Sequence, residues 1–241
     1  MLALEGVTKR FGGLTAVREM SLRVEEGDLL GIIGPNGAGK TTLFNVIAGF
    51  YRPEAGRIVF DGREITGRPP DEICRLGLTR TFQIVKPFGN LSVLENVMIG
   101  ALTRIGSVAT ARAIAGQVVE FCNLGDFTAL PAKSLPIALR KRLELARALA
   151  TRPRLLLLDE VMSGVNPTEL AGIIDLVRRI HADGVTLLVI EHIMAAIMRL
   201  AHRIVVLHHG EKLAEGPPAA IARNAKVVDA YLGEEFVLAE A

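Results

Sequence analysis

The apolar run Leu29 to Ile33 feeds directly into Gly34-Pro35-Asn36-Gly37-Ala38-Gly39-Lys40-Thr41, which meets the pattern G-x-x-x-x-G-K-[ST] at every fixed position. The glycines let the backbone curl so that its N–H groups face an anion at a distance that side chains would not permit. Lys40 adds a point charge suited to β- and γ-phosphates. The Thr41 hydroxyl suits Mg²⁺, a hard cation that bridges phosphate oxygens. Thr42 to Gly49 then reads as a helix, with Leu43, Val46 and Ile47 at i, i+3, i+4 and Gly49 as its stop. Its N-terminus directs a positive dipole at the bound anion. A tight glycine turn that binds nothing is the rival reading, and the strand before the loop and the helix after it argue against that. The expected ligand is a nucleoside triphosphate.

The 241 residues, half of them hydrophobic, suffice for one domain, or for one core carrying a subdomain. From Leu2 to Leu30 the pattern is short and alternating, and Ser21 to Glu25 places Leu22 and Val24 on one side. Gly56 to Phe60 repeats the idea and is followed by Asp61-Gly62, a hairpin turn signal. Together these predict a small antiparallel sheet. Between about Leu91 and Ala150 the spacing turns helical, with Ala111, Ile114, Ala115, Val118, Phe121 and Cys122 on one stripe. After it come Leu155 to Leu158, a helix bearing Leu170, Ile173, Ile174, Val177 and Ile180, the run Val185 to Ile190, another helix, and Ile204 to Leu207. That order predicts an α/β fold: a mostly parallel sheet with helices on both faces, plus the antiparallel subdomain and an inserted helical one. The expected division is a core of residues 1–86 and 151–241 and a helical subdomain of residues 87–150.

Basic and acidic residues interleave around a net charge of +2, and no long basic tract marks a nucleic-acid partner. The apolar runs fall short of the ~20 residues that a spanning helix needs. Glu5, Lys9 and Arg10 interrupt any leader-like apolar stretch, so the expected compartment is the cytoplasm. Cys74 and Cys122 lack the companions that metal or redox chemistry requires. His208-His209, as neighbours on a strand, are expected on opposite faces rather than as a metal pair.

Two further strand ends carry chemistry. Leu155 to Leu158 terminates in Asp159-Glu160, where Asp159 can hold the Mg²⁺ shell and Glu160 can polarise an attacking water as general base. An ordinary solvated acidic pair is the alternative. Val189-Ile190-Glu191-His192 ends another strand, and His192 there can donate to a γ-phosphate oxygen or to the water. A structural histidine is the alternative.

In this order the motifs resemble one family over essentially the whole chain: the ATP-binding cassette ATPases that drive membrane transporters. Gly34 to Thr42, and so Thr42 as well as Thr41, resembles the family's Walker A loop. Leu155 to Asp159 resembles the Walker B strand, Glu160 the catalytic glutamate and His192 the switch histidine. The resemblance, rather than any spacing, singles out Gln83 as the Q-loop residue, whose amide would reach Mg²⁺ or water at a subdomain hinge. It also places Phe11 where the family stacks an aromatic ring on adenine, although a strand residue buried in the small sheet is an alternative for Phe11. Gly164-Val165-Asn166 resembles the D-loop, with Asn166 where many members carry Asp. Val7 to Gly13 and Gly164 to Glu169 are most similar to the branched-chain amino-acid importer subgroup.

The resemblance implies ATP and Mg²⁺ as cofactors, and hydrolysis coupled to transport. It implies as partners a second, unlike ATPase subunit, transmembrane permease subunits and, indirectly, a substrate-binding protein. The chain would sit peripherally on the cytoplasmic face of the inner membrane, with the stretch from Gln83 to Leu91, including Phe88, gripping the permease. A soluble cassette remodelling a nucleic-acid or translation complex is the competing class.

One departure matters. Where the family carries L-S-G-G-Q, this chain has Leu135-Pro136-Ile137-Ala138-Leu139. In the family this segment closes over the γ-phosphate of the opposite subunit, so Leu135, Pro136 and Ala138 are its nucleotide-contacting positions here. Pro136 offers neither hydroxyl nor N–H, and Ala138 adds a methyl group where the backbone should come closest. Pro136 also fits simply as the first residue of the helix, and Arg140 or Lys141 could supply the charge that Ser and Gly no longer support. An asymmetric pair of sites follows: Glu160 hydrolyses ATP against a partner with an intact signature, while the site completed by Leu135 to Leu139 turns over slowly.

Overall fold

Leu29–Ile33, Leu155–Asp159 and Thr186–Ile190 are strands in which every residue is buried, which is why they read as unbroken apolar runs rather than as alternating ones. The computed structural model describes residues 1–82 and 86–231, the last of these by its backbone alone. In chain order the elements begin with β1 (Leu2–Phe11), β2 (Leu14–Val24), β3 (Leu29–Ile33), α1 (Lys40–Ile47), β4 (Ala55–Phe60), β5 (Arg63–Glu64), α2 (Pro70–Leu76) and β6 (Leu78–Arg80). Three helices follow, α3 (Val93–Leu102), α4 (Val108–Phe121) and α5 (Ile137–Ala150), and then β7 (Leu155–Asp159) and α6 (Pro167–Ala182). The chain continues through β8 (Thr186–Ile190), α7 (Met194–Leu200), β9 (Arg203–His208), β10 (Glu211–Gly216), α8 (Pro218–Ala222) and α9 (Ala225–Tyr231). These elements fall into two compact units, one of Met1–Ile73 with Thr186–Ala241 and one of Cys74–Val185.

The first unit holds the antiparallel sheet, in the order β2-β1-β4-β5. Leu22 and Val24 are buried while Ser21 and Arg23 are exposed, as the alternation requires. Asp61 and Gly62 both take positive φ, 49° and 73°, which is the primed turn that matches the twist of the β4–β5 hairpin. In the same unit β3 runs parallel to β8 on one side and to β9 on the other, and β10 returns antiparallel to β9. Gly31 is the close-packing point of β3, since a Cβ there would lie 2.9 Å from the Ile197 side chain on α7. The helix after the glycine loop opens at Lys40, two residues before its expected start, and closes on Ala48 and Gly49.

The paired histidines do not take opposite faces. Alternation ends with His208, the last residue of β9; His209 has φ 48° and turns away, so the two rings lie 4.0 Å apart between centroids at a 54° tilt.

The second unit pairs β6 parallel to β7 and packs α3, α4 and α5 against one another. The sequence carries the N-terminal signals of these helices. Ser92 and Glu95 form a reciprocal capping box on α3, Ser107 caps α4, and Asn166 with Glu169 boxes α6 behind Pro167. The buried stripe of α4 is Ala111, Ile114, Ala115 and Val119, with Cys122 at its cap, whereas Val118 and Phe121 are only half-buried. Phe121 lies at the margin, where the Arg179 guanidinium packs over its ring at 5.1 Å. Burial pushes the Cys122 thiol up to about 12, so it behaves as a small apolar residue.

Gly100 on α3 faces α5 so closely that a Cβ would lie 2.2 Å from the Arg147 carbonyl oxygen. Gly116 on α4 has open space at the same point. Gly100→Ala is therefore expected to destabilise the chain by roughly 1–3 kcal/mol through overpacking. Gly116→Ala should instead stabilise it by up to about 1 kcal/mol through helix propensity. Thermal unfolding of the two variants beside the parent checks the opposite signs.

Candidate active site

The loop from Gly34 to Lys40 is shaped by backbone crowding. A Cβ on Gly34 would sit 2.2 Å from the Leu207 carbonyl oxygen, and one on Gly39 would sit 2.2 Å from that of Ala16. Gly39 is also the N-cap of α1 with φ 97°, so no side chain caps the first-turn amides. Ala38 closes the loop by donating its N–H to Pro35 O at 3.1 Å and accepting from Gly210 N–H at 3.1 Å. Asn36 and Gly37 are exposed at the rim, while Thr41 and Thr42 are half-buried in the first helical turn. Lys40 is 9 % exposed, and its ammonium donates to Gly34 O at 2.6 Å and Pro35 O at 2.9 Å. Uncapped amides, the positive end of a helix and a lysine held over the loop fit a phosphate chain.

Phe11, at the end of β1, is 43 % exposed, which removes the buried-strand alternative. Its ring meets Tyr51 edge-on at 5.2 Å between centroids and carries the Lys9 ammonium 5.1 Å from its centre. Nothing in the sequence marks Tyr51, forty residues further on, as its neighbour. His192 is exposed just past β8, and Glu191 beside it is buried.

In the second unit Asp159 ends β7 with its side chain at 0 % exposure. Arg80 Nη2 donates to Asp159 Oδ2 at 2.6 Å, and the Asp159 N–H donates to Thr81 Oγ1 at 3.1 Å. Glu160 follows in the left-handed region at φ 51°, a costly conformation for a side-chain-bearing residue and one concentrated at functional turns. Lys141 Nζ holds the Glu160 carbonyl at 3.1 Å. An inward carboxylate at the strand end, with a turned acid behind it, provides the hard oxygen donors that suit Mg²⁺.

Pro136 is the N-cap of α5 rather than its first helical residue, with φ −57° and ψ 161°. Leu135 and Ala138 are buried and Ile137 is 48 % exposed. Arg140 folds back, donating to Leu135 O and Lys133 O at 2.7 Å each. With Lys141 directed at Glu160, both cations point into their own chain. Asn166 serves as the cap of α6.

Gln83 lies outside the described residues, but its flanks are fastened. Phe82 N–H donates to Glu144 Oε1 at 2.5 Å, and Arg147 Nη1 donates to Lys86 O at 3.2 Å. Phe88 N–H donates to Asn96 Oδ1 at 2.8 Å, while Asn96 Nδ2 returns bonds to the carbonyls of Phe88, Leu91 and Ser92. Burial pushes the Glu144 carboxyl up to about 7, against the opposing pull of the Phe82 N–H, Arg147 and Lys141. Arg80, Glu144 and Asn96 were not among the residues expected from sequence. An acid on the apolar face of α5 is the one sequence signal that could mark Glu144.

A family model described as ABC transporter matches residues 17–163. Another, described as Branched-chain amino acid ATP-binding cassette transporter, matches residues 211–237. The chain is 40% identical to the high-affinity branched-chain amino acid transport ATP-binding protein BraF of Pseudomonas aeruginosa, over 97% of this chain and 98% of that protein. It is 38% identical to LivG of Salmonella typhimurium, a protein of the same description, with the same coverage. A nucleotide-free ATP-binding cassette from an ABC transporter superposes with a TM-score of 0.89 at 33% identity, covering 97% of this chain and 99% of that one. A dimeric cassette bound to ADP and Pi superposes at 0.82 with 26% identity, covering 90% of this chain and 99% of that one.

Gly39→Ala places a methyl group against a backbone carbonyl and demands a left-handed alanine, so it should weaken nucleotide binding more than about tenfold. Gly37→Ala, with open space around it, should cost only the backbone strain of about 1–2 kcal/mol. Titration with a fluorescent ATP analogue separates the two.

A raised carboxyl pKa means that the folded chain binds this proton more tightly than the unfolded one. Glu144 therefore contributes stability that is full below about pH 4.5 and is lost as pH rises to about 7, on the order of 3 kcal/mol in all. Glu144→Gln keeps an acceptor for Phe82 N–H and removes this slope. The unfolding midpoint of the variant should gain on the parent as pH rises from about 4.5 through about 7, and a constant difference would contradict the assignment.

Proposed function

The chain belongs to the ABC transporter ATPase family, and from that premise we propose that it binds and hydrolyses ATP to drive an importer of branched-chain amino acids. The observation that carries this reading is the uncapped, glycine-built turn into α1, in a chain similar to such transport proteins along nearly its whole length.

In this reading the amides from Gly34 to Thr42 cradle the phosphates, and Lys40 exchanges the carbonyls of Gly34 and Pro35 for phosphate oxygens. Phe11 stacks on the adenine. Thr41, Asp159 and Gln83 would supply oxygen ligands for Mg²⁺, which when bound would draw off the charge that develops on the phosphates. Glu160 accepts a proton from the attacking water as the water oxygen bonds to the γ-phosphorus and the bond to the β-phosphate oxygen breaks, leaving ADP and phosphate. His192 donates a hydrogen bond to a γ-phosphate oxygen and holds the attack in line. The left-handed backbone at Glu160, pinned through its carbonyl by Lys141, supports a carboxylate aimed by main-chain geometry.

The working form is a pair of cassettes with permease subunits, peripheral to the cytoplasmic face of the inner membrane and served by a substrate-binding protein. Among the described residues no helix is long and apolar enough to cross a membrane. Phe88, 47 % exposed with Arg147 packed on its ring at 5.0 Å, is the anchor for a permease helix. The second cassette is unlike this one, because Pro136 and Ala138 leave the signature without hydroxyl or glycine. Arg140 is committed to carbonyls of its own chain and adds nothing there.

Glu160→Gln should cut phosphate release by at least about 100-fold while leaving nucleotide affinity within about threefold. In the reconstituted transporter the same change in this chain should cost more activity than its counterpart in the partner cassette. Equal losses would refute the asymmetry, and undiminished phosphate release would refute the role of Glu160.

A further inference from the structure

The Arg80–Asp159 pair is buried on both sides, with side chains 5% and 0% exposed at a separation of 2.6 Å. Its geometry is built from several directions. Strands β6 and β7 run parallel with Arg80 beside Leu157, so the guanidinium reaches along the ladder to the strand end. Thr81 locks that end twice, donating its N–H to Leu157 O at 2.9 Å and accepting the Asp159 N–H on its hydroxyl at 3.1 Å. The other side of the guanidinium lies 5.5 Å from the centre of the Phe82 ring, whose own N–H is held by Glu144.

A carboxylate that stays charged away from water is stabilised by a cation in direct contact. We propose that Arg80 is the resident counter-ion of Asp159 and sets the affinity of the site for Mg²⁺ by competing for that carboxylate. This rests on the reading of Asp159 as a magnesium ligand. Arg80 is a positioning residue, since its guanidinium acts through the Asp159 carboxylate that it contacts. Its guanidinium keeps the carboxylate aimed while the metal is away. When the metal arrives, the charge of Arg80 opposes it, and the Phe82 ring gives the guanidinium a second place to rest. The consequence is a metal that is held less tightly than the bare carboxylate would hold it, and released more readily with the product.

The test uses the full chain and thermal unfolding, with Mg²⁺ titrated at a fixed, saturating concentration of ADP, so that turnover plays no part. Arg80→Gln retains a hydrogen-bond donor but no charge. Without metal its unfolding midpoint should fall by roughly 5–10 °C, and the free Mg²⁺ giving half-maximal stabilisation should fall at least about threefold. Arg80→Lys, which keeps the charge, should restore the Mg²⁺ midpoint towards the parent value. The double variant Arg80→Gln/Asp159→Asn, which removes both charges, should recover most of the metal-free stability and keeps the test open if the single variant folds poorly. A Mg²⁺ midpoint for Arg80→Gln equal to or above that of the parent overturns the proposal, as does a double variant no more stable than the single one. Asp159→Asn alone should raise the Mg²⁺ midpoint. If it does not, the assignment of Asp159 to the metal fails, and that result is distinct from a failure of the counter-ion.

Discussion

The first turn of α1 begins on a glycine that cannot cap it, and the loop before it can exist only because two glycines pass within touching distance of the carbonyls of Leu207 and Ala16. Those carbonyls belong to strands β9 and β2, so the loop is moulded against two sheets of the first unit at once. Any Cβ at Gly34 or Gly39 would displace main chain rather than a flexible side chain. No side chain caps the first turn, and the helix dipole adds its positive end there. An anion site of this kind is a property of backbone geometry, and the lysine that reinforces it is held in place by carbonyls of the same loop.

The second unit solves a different electrostatic problem. It buries two carboxylates, Asp159 and Glu144, in one small region. Asp159 is neutralised by a guanidinium in direct contact, whereas Glu144 is left with a main-chain N–H and more distant cations, and burial raises its carboxyl to about 7. The contrast follows from geometry, since β6 delivers Arg80 alongside β7 while α5 directs Arg147 at the Lys86 carbonyl. The segment carrying Arg80, Thr81 and Phe82 is therefore tied at one end to the acid of β7 and at the other to the helix that follows the altered signature.

The altered signature itself is conservative in structure. Pro136 stands at the cap, where an absent N–H costs nothing, and the helix behind it runs its full fourteen residues. What changes is chemistry at the surface: an exposed isoleucine beside a proline, and cations folded inward, in place of a hydroxyl and close-approach glycines.

Much of this protein was legible from local pattern. Glycine spacing, the unbroken apolar strands ending in acids or histidine, the Asp61-Gly62 turn and the order of strands and helices each follow from contacts within a few residues, which a linear sequence displays directly. The register of α4 was less legible. Val119 rather than Val118 faces inward, and Phe121 sits at the margin under Arg179, fifty-eight positions away. His209 turned off the strand line because a hairpin required positive φ there, which alternation alone does not register. Arg80, Glu144 and Asn96 gained their roles from strand pairing and helix packing that bring distant segments within hydrogen-bond reach. Sequence by itself determined which chemistry the chain carries and the order of its elements, because those depend on residue type and short-range spacing. Tertiary structure alone decided which buried charge met which counter-charge, because desolvation energies depend on three-dimensional neighbours that spacing does not specify.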